Sequence, residues 1–185
     1  LLPDESTYAT ASGPKSPIVI AGNLQRGKAD YLYELPEEPD FNLYGAGFEG
    51  AKKRNLHYMG EFSPEELIPN LQGSFGLVWD GPSANTCTGA FGDYLRINNP
   101  HKTSLYLAAG LPVVIWDQAA LAPFIKEHGT GITVPSLSAL ADVLNSTSAE
   151  EYARMRENAR DISKRLRDGH FLKHAIDEAM LRPMP

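Results

Sequence analysis

Short, mostly apolar runs recur along the chain, separated by segments in which apolar residues return every three or four positions. The runs are Ile18–Ala21, 39–44 with Phe41, Leu43 and Tyr44, Leu56–Met59, 74–79, 112–116 and Gly131–Val134. The continuously apolar Ile18–Ala21 suits a strand buried on both faces of a parallel sheet, and the other segments read as further strands. Between them the pattern predicts helices over 28–35, closed by Pro36, and from Pro64 to about Leu71. Ser63 is the N-cap of the latter, with Glu65 and Glu66 in the first turn. Further helices are predicted over 99–109, 118–128 and 136–145, and again from Ser148. On the last of these, Tyr152, Met155, Ala159, Ile162 and Leu166 share one face. Gly169 interrupts the pattern, and Phe171, Leu172, Ala175, Ile176, Ala179 and Met180 describe a final amphipathic helix.

Strands alternating with helices predict an α/β fold. The expectation is a Rossmann-like parallel sheet of about six strands, with helices on both faces and the C-terminal helices packed across. Residues 1–16, rich in Pro, Ser, Thr and Gly without a period, read as a linker or arm. The sheet domain spans 17–147, and 148–185 are C-terminal helices. Residues 83–98 read as a long loop of the kind that is functional or mobile.

In such sheets ligands sit at the carboxyl ends of the strands. That rule places the turns 22–27, 45–47 and 60–63, the loop after Trp79 and the start of helix 99–109 on one edge. Asn99 can cap that helix, Pro100 fits its first position and Gly110 ends it. A helix N-terminus attracts anions, and this one carries His101, Lys102, Thr103 and Ser104. A phosphate site is the functional reading; an ordinary capped helix is the alternative. Lys102 opposes the helix dipole and so calls for an anion. Arg26 offers a bidentate fork on the same edge, or else a surface ion pair.

Composition and charge sharpen this picture. The 185 residues carry 17 Lys/Arg against 23 Asp/Glu, a net charge of −6, which argues against nucleic acid as a partner. Nine of the cations fall within residues 1–149 against sixteen acids, so each cation in that body is informative. Hydrophobic content of 42% indicates a folded domain, and the length lets it bury about 70% of its unfolded surface. Cys87 is the single cysteine, which excludes an internal disulfide and suits the cytosol. No apolar run approaches the roughly 20 residues of a membrane span. The start is polar and lacks a basic n-region, so no signal peptide is visible. A chain opening Leu-Leu-Pro without Met is expected to be a piece of a longer protein, or one trimmed of a tag or leader.

Other candidates carry bland readings beside the functional ones. Gly22 and Gly27 let backbone approach a ligand closely, and Asn23 in the same turn is a further binding candidate. Tyr44, Gly45 and Phe62, with the turn 45–47, form a slot for a flat base, or pack as core and rim. Ser63 serves a ribose, or is only a cap. Asp80 and Asp93 face a sugar, or are turn acids. His170 and His174 read as solvated rather than as metal ligands, and Cys87 has no partner His nearby in sequence. Walker A, G-x-G-x-x-G, G-x-S-x-G and zinc-type spacings are absent. The catalytic residues are not identifiable.

The block Tyr94 to Val113, with Ile18–Arg26 and Ser74–Trp79, resembles bacterial sugar transferases of the GT-B type. The nearest groups are the galactofuranosyltransferases and the streptococcal glucosyltransferases that extend glycans on serine-rich-repeat adhesins. The resemblance covers about Pro17 to the end. It implies a nucleotide-sugar-binding C-terminal domain, with a UDP-sugar as donor and a hexosyl group (galactofuranosyl, galactosyl or glucosyl) transferred in polysaccharide biosynthesis. It implies that Arg26 and Lys102 hold the diphosphate and that 60–63 meets the uracil. No metal and no other cofactor is implied, because Arg, Lys and a helix end meet the phosphate charge. A glycan or glycoprotein acceptor would be bound by an N-terminal domain absent from this sequence, toward which 148–185 cross. This chain alone would then be inactive. A cytoplasmic location follows, and association with the inner face of the membrane and homo-oligomerisation of the full-length protein stay open. The rival expectation is a non-catalytic Rossmann-like regulatory or protein-interaction domain. A response-regulator-like phosphoacceptor is disfavoured, because no acidic cluster follows the first strand.

Overall fold

The computed structural model describes residues 8–11, 13–50 and 53–181. Six strands form one sheet: β1 (Ile18–Ala21), β2 (Phe41–Tyr44), β3 (Leu56–Gly60), β4 (Gly76–Val78), β5 (Val113–Trp116) and β6 (Gly131–Val134). All pairs are parallel, in the order β3-β2-β1-β4-β5-β6. Every residue of β1, β2, β4 and β5 is buried, as the unbroken apolar runs require of strands covered on both faces. The chain steps outward from β1 to β3, then jumps back to β4 on the other side of β1. The strand order therefore reverses between β1 and β4. That is the crevice in which doubly wound sheets take ligands.

Among the described residues, seven helices accompany the sheet: α1 (Pro64–Asn70), α2 (Gly89–Tyr94), α3 (His101–Ala108), α4 (Ala122–Glu127), α5 (Leu140–Ser146), α6 (Ala149–Arg167) and α7 (His170–Leu181). Several differ from the sequence expectation for physical reasons. The helix expected over 28–35 is a single 3-10 turn, Asp30–Tyr33. The loop expected over 83–98 contains α2, whose six residues include two glycines and no apolar period. The helix expected over 118–128 begins only at Ala122, with Pro123 in its first turn. Pro100, not Asn99, is the N-cap of α3, with extended backbone (φ −69°, ψ 136°) and no side-chain capping bond.

Residues 8–11 fall within the expected arm and are tied to the body. The Ala9 N–H donates to the Ala109 carbonyl and the Thr10 N–H to the Leu71 carbonyl, both at 3.0 Å. Arg156 on α6 donates to the carbonyls of Ala9 and Ala11. Residues 1–7, Lys52 of the basic loop and residues 182–185 lie outside the described residues.

The C-terminal helices cross the sheet domain. Ser148 caps α6: its Oγ accepts from the Glu151 N–H at 3.1 Å, and the Glu151 carboxylate accepts from the Ser148 N–H at 2.9 Å. The apolar face of α6 then packs on α3. Ser163 Oγ donates to the Ala108 carbonyl at 2.9 Å, and the Tyr152 hydroxyl donates to the Ser74 carbonyl at 2.8 Å. By contrast α7 buries none of its residues, and Leu172, Ile176, Met180 and Leu181 are exposed.

Two glycines set close approaches along β1. Gly76 on β4 lies against the ring of Tyr106, and a Cβ there would overlap the ring. This lets the buried Tyr106 hydroxyl accept from the Ala21 N–H at 2.8 Å, binding α3 to the end of β1. Gly45 has φ +135°, and a Cβ there would overlap the Gly22 carbonyl. The turns after β1 and β2 are thereby pressed together.

Candidate functional site

Parallel strands of this order deliver the ends of β1, β2, β3 and β4 and the start of α3 to one edge. There the Gly22 N–H donates to the Tyr44 carbonyl and the Gly45 N–H to the Gly60 carbonyl, both at 2.9 Å. These bonds fuse the three turns into a single wall. A cavity of about 350 Å3 opens against it, lined by Gly22, Asn23, Tyr44, Gly45 and Phe62 among others. Five of the twelve candidate residues thus meet in one place. Asn23 is fixed by its own turn, its Oδ1 accepting from the Gln25 N–H at 2.9 Å. The Tyr44 and Phe62 rings lie 6.0 Å apart and tilted by 45°. Tyr44 is 1% exposed, and its hydroxyl accepts from the Gln72 N–H. It is therefore a core residue showing one edge to the cavity, while Phe62 is half-buried.

Lys102 reaches this wall from α3. A Cβ on Gly22 would sit 3.5 Å from Lys102 Cε. Gly22 therefore touches both the cavity and the lysine. Lys102 Nζ donates to the Trp79 carbonyl at 3.1 Å and to Asp80 Oδ1 at 2.7 Å. The side chains of this ion pair are 15% and 12% exposed. The anion that Lys102 calls for is thus present within the fold: Asp80, at the end of β4. Sequence reasoning treated Asp80 as a sugar-facing or turn acid and missed this pairing. The two residues are 22 positions apart, and only the parallel β4–α3 arrangement joins them.

The lysine sits over a tightly packed polar cluster. Cys87 is fully buried, and burial pushes its thiol up to about 12. Tyr31 and Tyr106 are also fully buried, and burial followed by the nearby Asp80 carboxylate raises the Tyr31 phenol well above its ordinary value. The Tyr31 hydroxyl has no hydrogen-bond partner.

The remaining candidates fall elsewhere. Arg26 is half-exposed, its guanidinium 3.3 Å over the Tyr33 ring centroid, with Asp30 and Glu49 at 3.7 and 3.8 Å. Its contacts are therefore those of a surface ion pair, backed by the stacked rings of Tyr33 and Phe48. Asn99, Thr103 and Ser104 do not face the Gly22 wall. They line a second, more apolar cavity of about 240 Å3 with Leu107, Phe124, Ile162 and Phe171. His101 is exposed. Ser63 caps α1, its Oγ donating to Glu66 Oε2 at 2.8 Å. Among the described residues, no three His, Cys, Asp or Glu side chains are grouped so as to hold a metal ion. No helix of the described residues is long and apolar enough to cross a membrane.

This architecture has known counterparts. Residues 18–179 match the model of the family described as "Glucosyltransferase 3-like, C-terminal domain". The chain is 44% identical over 167 residues to beta-1,6-galactofuranosyltransferase WbbI of Escherichia coli (strain K12), covering 88% of this chain and 49% of that protein. It is 31% identical over 170 residues to glucosyltransferase 3 of Streptococcus gordonii, covering 89% and 48%. Glucosyltransferase 3 of Streptococcus parasanguinis is 25% identical over 130 residues, covering 70% and 37%. The chain spans about half the length, or less, of the curated relatives it matches.

Proposed function

The chain belongs to the glucosyltransferase 3-like C-terminal domain family, and from that premise we propose that it binds the nucleotide-sugar donor of a glycosyltransferase. The observation that carries the reading is Lys102. It stands in the first turn of an eight-residue helix with no side-chain cap, against Gly22, which lines the Tyr44–Phe62 cavity. The cavity suits a flat base and its ribose, and Phe62 offers the more accessible ring. The first turn of α3 and the Lys102 ammonium then meet the diphosphate. As the glycosidic bond breaks, negative charge grows on the departing diphosphate. Fixed donors at that point stabilise the transition state more than the ground state. UDP is the proposed nucleotide and a hexose the proposed sugar. A glycan or glycoprotein acceptor would be presented by a companion domain.

A thermal-shift panel of nucleotides tests this reading. UDP at a hundredfold over its dissociation constant should stabilise the full chain by about 2.7 kcal/mol. Adenine and guanine nucleotides should do less. Equal responses to all of them would remove the base slot from the account.

One observation favours a second reading, a protein-interaction domain. The helix α7 shows Leu172, Ile176, Met180 and Leu181 to solvent and has no fully buried residue. A domain with no nucleotide response but a stable complex through α7 would fit that reading instead.

A further inference from the structure

The ion pair at the proposed diphosphate site raises a difficulty for any anion that enters. Asp80 neutralises Lys102 at 2.7 Å, in a place where both side chains are largely shielded from water. A diphosphate arriving at Lys102 would meet a carboxylate beside it, and like charges at such range repel strongly in a partly buried site. Lys102 can let go of Asp80 without losing its anchorage, because it also donates to the Trp79 carbonyl. The carboxylate then needs another donor, since an ionised group left unpaired in the interior is costly.

The structure holds such a donor close by. The Tyr31 hydroxyl is fully buried and has no hydrogen-bond partner, an arrangement native proteins rarely retain without a reason. The backbone of Tyr31 is fixed beside Gly81, the residue that follows Asp80. The Tyr31 N–H donates to the Gly81 carbonyl at 3.3 Å, and the Gly81 N–H to the Lys28 carbonyl at 3.2 Å. After burial, the Asp80 charge is the largest influence holding the Tyr31 phenol in its neutral, donating form. Two other groups feel the Asp80 charge: the Tyr106 hydroxyl, held at the end of β1 by accepting from the Ala21 N–H at 2.8 Å, and Cys87, whose thiol is only a weak donor.

We propose that Asp80 is a positioning residue with two settings, paired with Lys102 at rest and turned to the Tyr31 hydroxyl when a diphosphate takes the lysine. The proposal rests on the donor-site reading above. It makes the resting pair a placeholder: Asp80 keeps the ammonium extended at the head of α3 and yields it only to a ligand that binds the freed lysine better. A ligand can drive such an exchange only through its differential affinity for the two settings.

The test is calorimetric titration of UDP into the full chain and into Lys102→Gln, Tyr31→Phe, Asp80→Asn and the double variant Tyr31→Phe/Asp80→Asn. Tyr31→Phe removes a hydroxyl that bonds to nothing at rest, so the unliganded protein should melt at or above the wild-type temperature. UDP should nonetheless bind it roughly tenfold more weakly, the worth of one hydrogen bond to a charged group. Asp80→Asn should bind UDP more tightly than wild type, because the competing charge is gone. In that background Tyr31→Phe should have no further effect. A purely structural Asp80 predicts the reverse, with Asp80→Asn weakening UDP. Unchanged UDP affinity in Tyr31→Phe overturns the two-setting proposal even if Asp80→Asn does not fold. So does an equal effect of Tyr31→Phe in both backgrounds. Absence of UDP binding by the wild type, or full binding by Lys102→Gln, overturns the donor-site reading and the proposal with it.

Discussion

Lys102 Nζ lies 2.7 Å from Asp80 Oδ1, joining the head of α3 to the end of β4 at the point where the strand order reverses. A cation in the first turn of a helix is unfavourable by itself. The carboxylate of Asp80 offsets that cost, and burial makes each partner dependent on the other. Lys102→Ala should therefore destabilise the protein by about 2–3 kcal/mol, somewhat below the value for a wholly buried pair. Asp80→Asn combined with Lys102→Met should cost clearly less than Lys102→Ala alone. Urea denaturation of the wild type and the two variants measures both differences.

The contact between Gly76 and Tyr106 should be equally exacting. A methyl group at Gly76 would overlap the Tyr106 ring, so Gly76→Ala should destabilise by about 3 kcal/mol, the upper end for overpacking. Tyr106→Phe keeps the ring but leaves the Ala21 N–H without its partner, at a cost of about 1–3 kcal/mol. Denaturant midpoints of the two variants check these values.

Cys87 should be chemically silent in the folded protein. It is fully buried, and burial raises its thiol to about 12. The reactive thiolate forms only near and above that value, so at pH 8 almost none is present. A chromogenic disulfide reagent should label the native protein only at the rate of unfolding, and label it quickly in denaturant. Fast labelling without denaturant would show that the core around Cys87 opens.

The cap of α6 should leave a mark on the acid side of the stability profile. Hydrogen bonds from Ser148 hold the Glu151 carboxyl below its ordinary value in the folded state. A group depressed on folding contributes stability that is present above its unfolded pKa and is lost as pH falls through the folded one. Glu151→Gln should therefore flatten the loss of stability in that acidic window and leave its shape near neutrality unchanged. Ser148→Ala should cost about 1 kcal/mol at pH 7. Melting temperatures across the acidic range provide the comparison.

What the sequence revealed divides along physical lines. The central strands β1 and β5 were legible because fully covered strands are written in unbroken apolar residues, as Ile18–Ala21 and Val113–Trp116 are. The α6 face was legible from its period, and its start from Ser148 and Glu151. Helix α2 was not, because Gly89 and Gly92 disfavour a helix locally and only its surroundings make one. Gly22, Asn23, Tyr44, Gly45 and Phe62 could be brought together from strand direction alone, since every parallel strand delivers its following turn to the same edge. Side-chain direction was beyond that reasoning. Arg26 shares the turn but lies on Tyr33, while Thr103 and Ser104 share a helix end with Lys102 and line another cavity. Asp80 left no signal because an acid after a strand is common, and its partner is distant in sequence.

The central claim is that Lys102 receives the diphosphate of a sugar donor beside the Gly22 wall. Calorimetric titration of UDP into the wild-type chain and Lys102→Gln tests it most directly, with circular dichroism to show that both are folded. The account predicts saturable binding by the wild type and at least tenfold weaker binding by the folded variant, a loss of about 1.4 kcal/mol. Equal UDP affinity in the two proteins would contradict it.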